Sequence, residues 1–144
     1  MKKSIEKKYL IVFFILYIAV LLKITVLRSN FGEAGIFTSG KTNIMPFVDL
    51  IHIYKNDVKI FIYLFAGNIF WFIPFGIFLR ALSSLSNIKI VGLAALFSFA
   101  IEFSQYAFGT GVAESDDIIL NTLGALLGVA ICNCIRKKKM LRRR

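Results

Sequence analysis

The sequence predicts an all-α, polytopic membrane protein of four transmembrane helices, with a short interfacial helix in the first outer loop. Three observations carry that prediction. Hydrophobic residues make up 58% of the 144-residue chain and mean hydropathy is +0.74, well above the roughly 45–50% apolar usage of soluble domains. The apolar residues gather in four runs, each about the length needed to cross the hydrocarbon layer. The 18 Lys and Arg residues behind the net charge of +10 lie almost entirely in the flanks and loops between those runs. A chain this short cannot hide so much apolar surface in a core of its own and must use lipid. No surface interleaves aromatic and basic residues, so the charge is read as a topology signal and a nucleic-acid partner is excluded.

The chain reads as one transmembrane domain over residues 9–135, between a basic N-terminus (1–8) and a basic tail (136–144). The first helix is expected over about 9–27, whose 19 residues span about 29 Å. A basic start before an apolar run also describes a signal peptide, but this run is too long for an h-region and no small-x-small cleavage site follows. It is therefore expected to be uncleaved, with Lys23 snorkelling at its far end. The next stretch is mixed, with Gly32, Gly35 and Gly40 before Asn43-Ile44-Met45-Pro46-Phe47. A helix is expected to start at or just after Pro46, because proline disfavours helix at the residue before it. Phe47, Leu50, Ile51 and Tyr54 then fall on one helical face, the pattern of a helix lying in the interface. Further spans are expected over about 60–82, 88–108 and 118–135; Pro74 would kink the first of these and free a carbonyl.

Thirteen basic residues fall on one side (Lys2, Lys3, Lys7, Lys8, Arg80, Lys89 and the seven of the tail) against four on the other, Arg28, Lys41, Lys55 and Lys59. That asymmetry places both termini in the cytoplasm under the positive-inside rule. With that orientation, helical rise puts Glu102 about 9 Å, Asn121 about 5 Å and Asn68 about 12 Å below the outer surface. The polar groups share the outer leaflet.

The stretch Ile101–Gly128 carries the chemistry. Glu102 and Gln105 share one helix face at i, i+3; Asp117 and Asn121 share another at i, i+4. Ionisable groups inside a span are costly and mark a candidate functional site. Each has a plainer reading beside it. Asp116 or Asp117 stands where a helix N-cap would. A lone Glu102 could be protonated interhelical glue, and Asn68 and Asn121 could be packing devices. Gly124 and Gly128 read as a close helix contact, His52 as an interface residue with no second histidine for a metal site, and Cys132 and Cys134 as inert thiols that point apart.

Four blocks read together resemble the VanZ-like family of small bacterial membrane proteins. They are Asn43-x-x-Pro46-Phe47, Asn68 followed by Pro74-x-Gly76, Glu102-x-x-Gln105, and Asp116-Asp117-x-x-x-Asn121-x-x-Gly124. The resemblance covers about residues 43–128. It implies a multi-pass helical domain in the bacterial cytoplasmic membrane and, for the family's named member, a part in low-level resistance to teicoplanin, a lipoglycopeptide acting on cell-wall precursors. Family sequences often carry Arg six residues after the glutamine and Asp three before the second aspartate. Here those places hold Gly111 and Glu114, and the missing Arg removes a bidentate partner for phosphate or carboxylate.

The leading expectation is a non-enzymatic envelope protein. Its outer-leaflet pocket, built from Asn43, Asn68, Glu102, Gln105, Asp116, Asp117 and Asn121, would bind an amphipathic ligand such as a lipid-linked wall precursor or the acyl tail of a lipoglycopeptide. No cofactor is expected beyond a divalent cation that the oxygens of Glu114, Asp116 and Asp117 could hold. The alternative is an intramembrane enzyme on a lipid-linked substrate, with Glu102 as general acid or base and Asp117 as its partner. No Ser-His, Cys-His or His-cluster arrangement supports it.

Overall fold

A computed structural model describes residues 2–28, 31, 33, 35–38 and 40–142. Gly32 of the first loop and Arg143 and Arg144 of the tail lie outside the described residues. Five helices and two short strands follow in the order α1 (Lys2–Thr25), β1 (Lys41–Asn43), α2 (Val48–Asn56), α3 (Val58–Leu82), α4 (Asn87–Phe108), β2 (Val112–Glu114) and α5 (Ser115–Leu141). The four long helices are apolar and long enough to cross a membrane, and α2 is the short helix expected after Pro46. The fold is all-α and polytopic, as the composition predicts.

Boundaries differ from the hydropathy reading where helix continues into charge. α1 runs back through the basic start to Lys2, and α5 passes Ile135 through Arg136–Lys139. Neither segment holds a helix breaker, and Lys and Arg are good helix formers once a helix has nucleated. α1 ends early because the amides of Val26 and Leu27 both turn onto the Leu22 carbonyl, each at 2.9 Å. α3 is capped by Asp57, whose carboxylate accepts from the amides of Lys59 (2.9 Å) and Ile60 (3.1 Å). It runs unbroken through Pro74. In the turn before the proline, the Trp71 carbonyl accepts from the Tyr17 hydroxyl of α1 at 2.7 Å, which ties α1 to α3 one residue from the Phe70 carbonyl that Pro74 leaves without its helical donor.

α3 and α5 form the closest helix pair. A Cβ on Gly124 would stand 2.1 Å from the Ile69 carbonyl oxygen, one on Gly128 2.1 Å from that of Ile73, and one on Gly76 2.0 Å from that of Ala125. The G-x-x-x-G row is thus a backbone-to-backbone contact, with Gly76 as its counterpart on the facing helix. Beside this seam the core gathers Leu21, Val26, Phe72, Phe75, Ala94, Ile101 and Ala125, with Phe14, Tyr17 and Phe97 packed against it. Elsewhere large side chains such as Phe13, Phe70, Leu96 and Phe99 face outward on the spans, as they must when lipid is the solvent.

The two strands are not expected from the sequence. They pair in parallel, Lys41 opposite Val112, Thr42 opposite Ala113 and Asn43 opposite Glu114, and so bind the first loop to the α4–α5 connection. At the other end of the bundle, the Arg80 Nε donates to Asn133 (2.7 Å) and Arg136 to the Ala81 carbonyl (3.2 Å), closing α3 onto α5.

Candidate functional site

The site forms where α4 stops. Gly109 ends the helix in the left-handed region (φ 62°) and its amide turns back onto Gln105 and Tyr106, a conformation that glycine adopts without steric cost. The chain then extends through β2 and starts α5 at Ser115, with Glu114 at the cap position. The cap reading of Asp116 and Asp117 is therefore corrected. Both lie in the first turn of α5, where the helix dipole favours negative charge, and their carboxylates reach other elements.

Asp116 is 1% exposed. Its Oδ1 accepts from the Phe47 amide at 2.7 Å, and its Oδ2 is buried without a partner. Phe47 itself sits at φ 63°, a rare conformation for a bulky residue, which the Asp116 bond holds in place. Asp117 accepts from the amide nitrogen of Asn68 on α3. Asn121, one turn further along α5, donates to the buried Ser98 on α4 at 2.9 Å. The shared face of Asp117 and Asn121 thus splits between two neighbouring helices.

Glu102 is 4% exposed, and its Oε2 accepts from the Glu114 amide at 2.9 Å. Gln105 is also buried, its Oε1 only 2.7 Å from where a Cβ on Gly111 would stand. Asn43 lies opposite Glu114 in the ladder and donates to Asp49 at 2.8 Å. Burial, followed by the neighbouring Asp116 and Asp49 carboxylates, pushes the Glu114 carboxyl above its ordinary range.

Of the seven candidate residues, Asn43, Glu102 and the added Glu114 meet at a groove. Its other walls are Ile44, Phe99, Phe103, Tyr106 and Ile118, and its volume is about 330 Å3, within the size range of small-ligand sites. Phe99 and Phe103 are half-exposed on the outward face of α4, so the groove opens sideways, toward lipid. Asn68 with Asp117 and Asn121 with Ser98 lie apart from the groove lining, as interhelical pairs. Among the described residues no group of three or more His, Cys, Asp or Glu side chains is arranged to hold a metal ion.

Arg28, counted from the sequence only as a flanking charge, belongs to this cluster. Its Nη1 donates to the Thr110 carbonyl at 3.3 Å and lies 3.6 Å from the position of a Cβ on Gly111. It interacts electrostatically with both Glu102 and Asp117. Ser98 and Asp49 were equally hidden. Ser98 sits four residues before Glu102, and that helical spacing within an apolar run is the one signal that could have marked it.

Fold and site together define a multi-pass α-helical membrane protein with a polar cluster at one end of its bundle and a laterally open apolar groove beside it. The sequence pattern of VanZ/LLP1 matches residues 14–136, and the chain belongs to that family. A relative named Protein VanZ, from Enterococcus faecium, is 33% identical over 70 residues, covering 44% of this chain and 40% of the relative. The chain thus aligns with less than half of that relative's length. No solved structure matches the chain.

Proposed function

We propose that this protein binds an amphipathic, lipid-linked ligand from the outer leaflet of the bacterial cytoplasmic membrane, and through it contributes to glycopeptide resistance of the teicoplanin type. The observation that carries this reading is the groove of about 330 Å3 lined by Ile44, Phe99, Phe103 and Ile118, with Glu102, Asn43 and Glu114 at its polar edge. Such a site suits a ligand with an apolar tail and a polar head, a lipid-linked wall precursor or the acyl tail of a lipoglycopeptide, that arrives through the bilayer. The thirteen-to-four distribution of Lys and Arg supports a cytoplasmic location for both termini. Met140→Cys, at an exposed position beyond the apolar part of α5, should then react with a membrane-impermeant maleimide only after the membrane is permeabilised.

The test is susceptibility to teicoplanin and, separately, to vancomycin, in a sensitive Gram-positive host. It would express the protein, Glu102→Gln and Phe103→Trp at matched membrane abundance. Protection against teicoplanin that vancomycin does not share, lost when Trp fills the groove, supports the reading. Equal behaviour of all three chains defeats it. Loss in Glu102→Gln alone, with binding of a lipid-linked wall precursor retained, would instead favour carboxylate chemistry on that substrate.

A further inference from the structure

We infer that Arg28 is the anchor for an anionic head, a phosphate or diphosphate, on the ligand of the groove; the inference rests on the binding reading above and adds the charge of what is bound. Arg28 carries five N–H donors in a planar fork suited to phosphate. It spends two of them on long contacts, Nε to the Ile24 carbonyl at 3.4 Å and Nη1 to the Thr110 carbonyl at 3.3 Å. Among the described residues it forms no ion pair, and it is exposed.

The carboxylates around it do not compete for that role. Glu102 accepts from the Glu114 amide, Asp117 from Asn68, Asp116 from the Phe47 amide and Asp49 from Asn43. Each of these carboxylates accepts from a donor of the protein itself, while Arg28 is exposed and keeps N–H groups that no described residue accepts. Beside the guanidinium, the Thr110 hydroxyl is buried without a partner. The guanidinium also lies 3.6 Å from the position of a Cβ on Gly111, a position that the Gln105 amide oxygen crowds at 2.7 Å.

The placement fits the groove. Ala113 lines it and lies two positions along the chain from Gly111, about 7 Å of extended chain. A diphosphate held at Arg28 thus leaves its lipid tail at the mouth of the groove.

The experiment compares binding of a polyprenyl diphosphate and the matching neutral polyprenol to the full-length protein in phosphatidylcholine nanodiscs. The variants are R28Q and R28Q/G111R. The wild type should favour the diphosphate by about tenfold or more, the worth of a charge-assisted contact. R28Q should bind both alike with its polyprenol affinity unchanged. R28Q/G111R should recover part of the preference once the Gln105 side chain yields, because residue 111 stands beside the place of the Arg28 guanidinium. Adding phosphatidylglycerol sorts the anion's source. If it displaces the diphosphate from wild type but not from R28Q, bilayer headgroups share the site; if it does not, the site is reserved for the lipid-linked ligand. Either result supports the Arg28 anchor. A preference retained in R28Q, or equal binding of the two lipids by wild type, overturns the anchor while the groove stands. Binding of neither lipid by wild type overturns the groove as well.

Discussion

Replacing glycine by alanine should change stability in opposite directions at different places in this bundle. At Gly124 and Gly128 the added Cβ would stand 2.1 Å from a carbonyl oxygen of α3, about 1.3 Å short of the 3.4 Å at which ordinary contact begins. A carbonyl inside a helix cannot swing away like a side-chain tip, so α3 and α5 must separate and lose dispersion contacts along their length. Overpacking of this kind costs about 1–3 kcal/mol, more than the ~1 kcal/mol that alanine returns in helix propensity. Because the obstacle is backbone, the upper half of that range is expected. Net of the propensity gain this leaves about 1–2 kcal/mol, and at about 2–4 °C per kcal/mol for a chain of this size each variant should melt roughly 2–8 °C below wild type. Gly67 and Gly92 have nothing within 4 Å of their Cβ positions, so there the propensity gain acts alone and melting should rise by up to about 4 °C. The assay is thermal unfolding of the four variants in one detergent. Gly124→Ala or Gly128→Ala melting at or above wild type would refute the close approach of α3 and α5.

Further outcomes follow from the polar contacts. Ser98→Ala and Asn121→Ala, singly and together, should show a coupling of about 0.6–2 kcal/mol in a double-mutant cycle of unfolding in detergent; additivity would mean that the 2.9 Å bond does not form in the membrane. Asp116→Ala leaves the Phe47 amide without its acceptor and should cost about 1–3 kcal/mol, with faster proteolysis of the first loop as the local readout. Glu114 has a folded pKa raised above its unfolded value, so its stabilising contribution is complete below the unfolded pKa and declines as pH rises through the folded one. Wild type should therefore lose stability upward from about pH 4.5 relative to Glu114→Gln, and parallel melting profiles from pH 4 to 8 would contradict that assignment. Chelation of divalent cations should leave polyprenyl diphosphate binding unchanged if Arg28 supplies the positive charge; a tenfold loss would point to a bridging cation instead.

The spans were legible because a bilayer demands long apolar helices whatever their neighbours, and the small-residue row announced its contact through spacing alone. The interfacial helix was legible for a similar local reason, a proline followed by one apolar face. What escaped was whatever depends on two distant segments meeting. Lys41–Asn43 and Val112–Glu114 are three residues each, too short to show a period of two, and their parallel pairing joins a loop to a connection about seventy residues later. Arg28 escaped for the same reason: in the sequence it is the last charge of a helix flank, and only the fold carries it over Gly111. For the aspartates a cap stood as the plainer alternative because capping is the local use of such a residue. Their actual bonds, to Phe47 and Asn68, lie 69 and 49 positions away.

Those bonds also divide the polar residues by role. Asp116, Asp117 and Asn121 each have a partner in another element, so their substitution should act first on how the loop, α3 and α4 are held against α5. Glu102 occupies both classes: one oxygen orders the Glu114 amide, and the side chain lines the groove. Replacing Glu102 by Gln keeps an oxygen able to accept from that amide and removes only charge, whereas Glu102→Leu removes both. If the two variants lose teicoplanin protection equally while Glu102→Gln melts like wild type, the carboxylate's charge acts on the ligand. If Glu102→Gln protects fully and only Glu102→Leu fails, the acidic group serves to position β2, and recognition falls to the apolar walls and to Arg28.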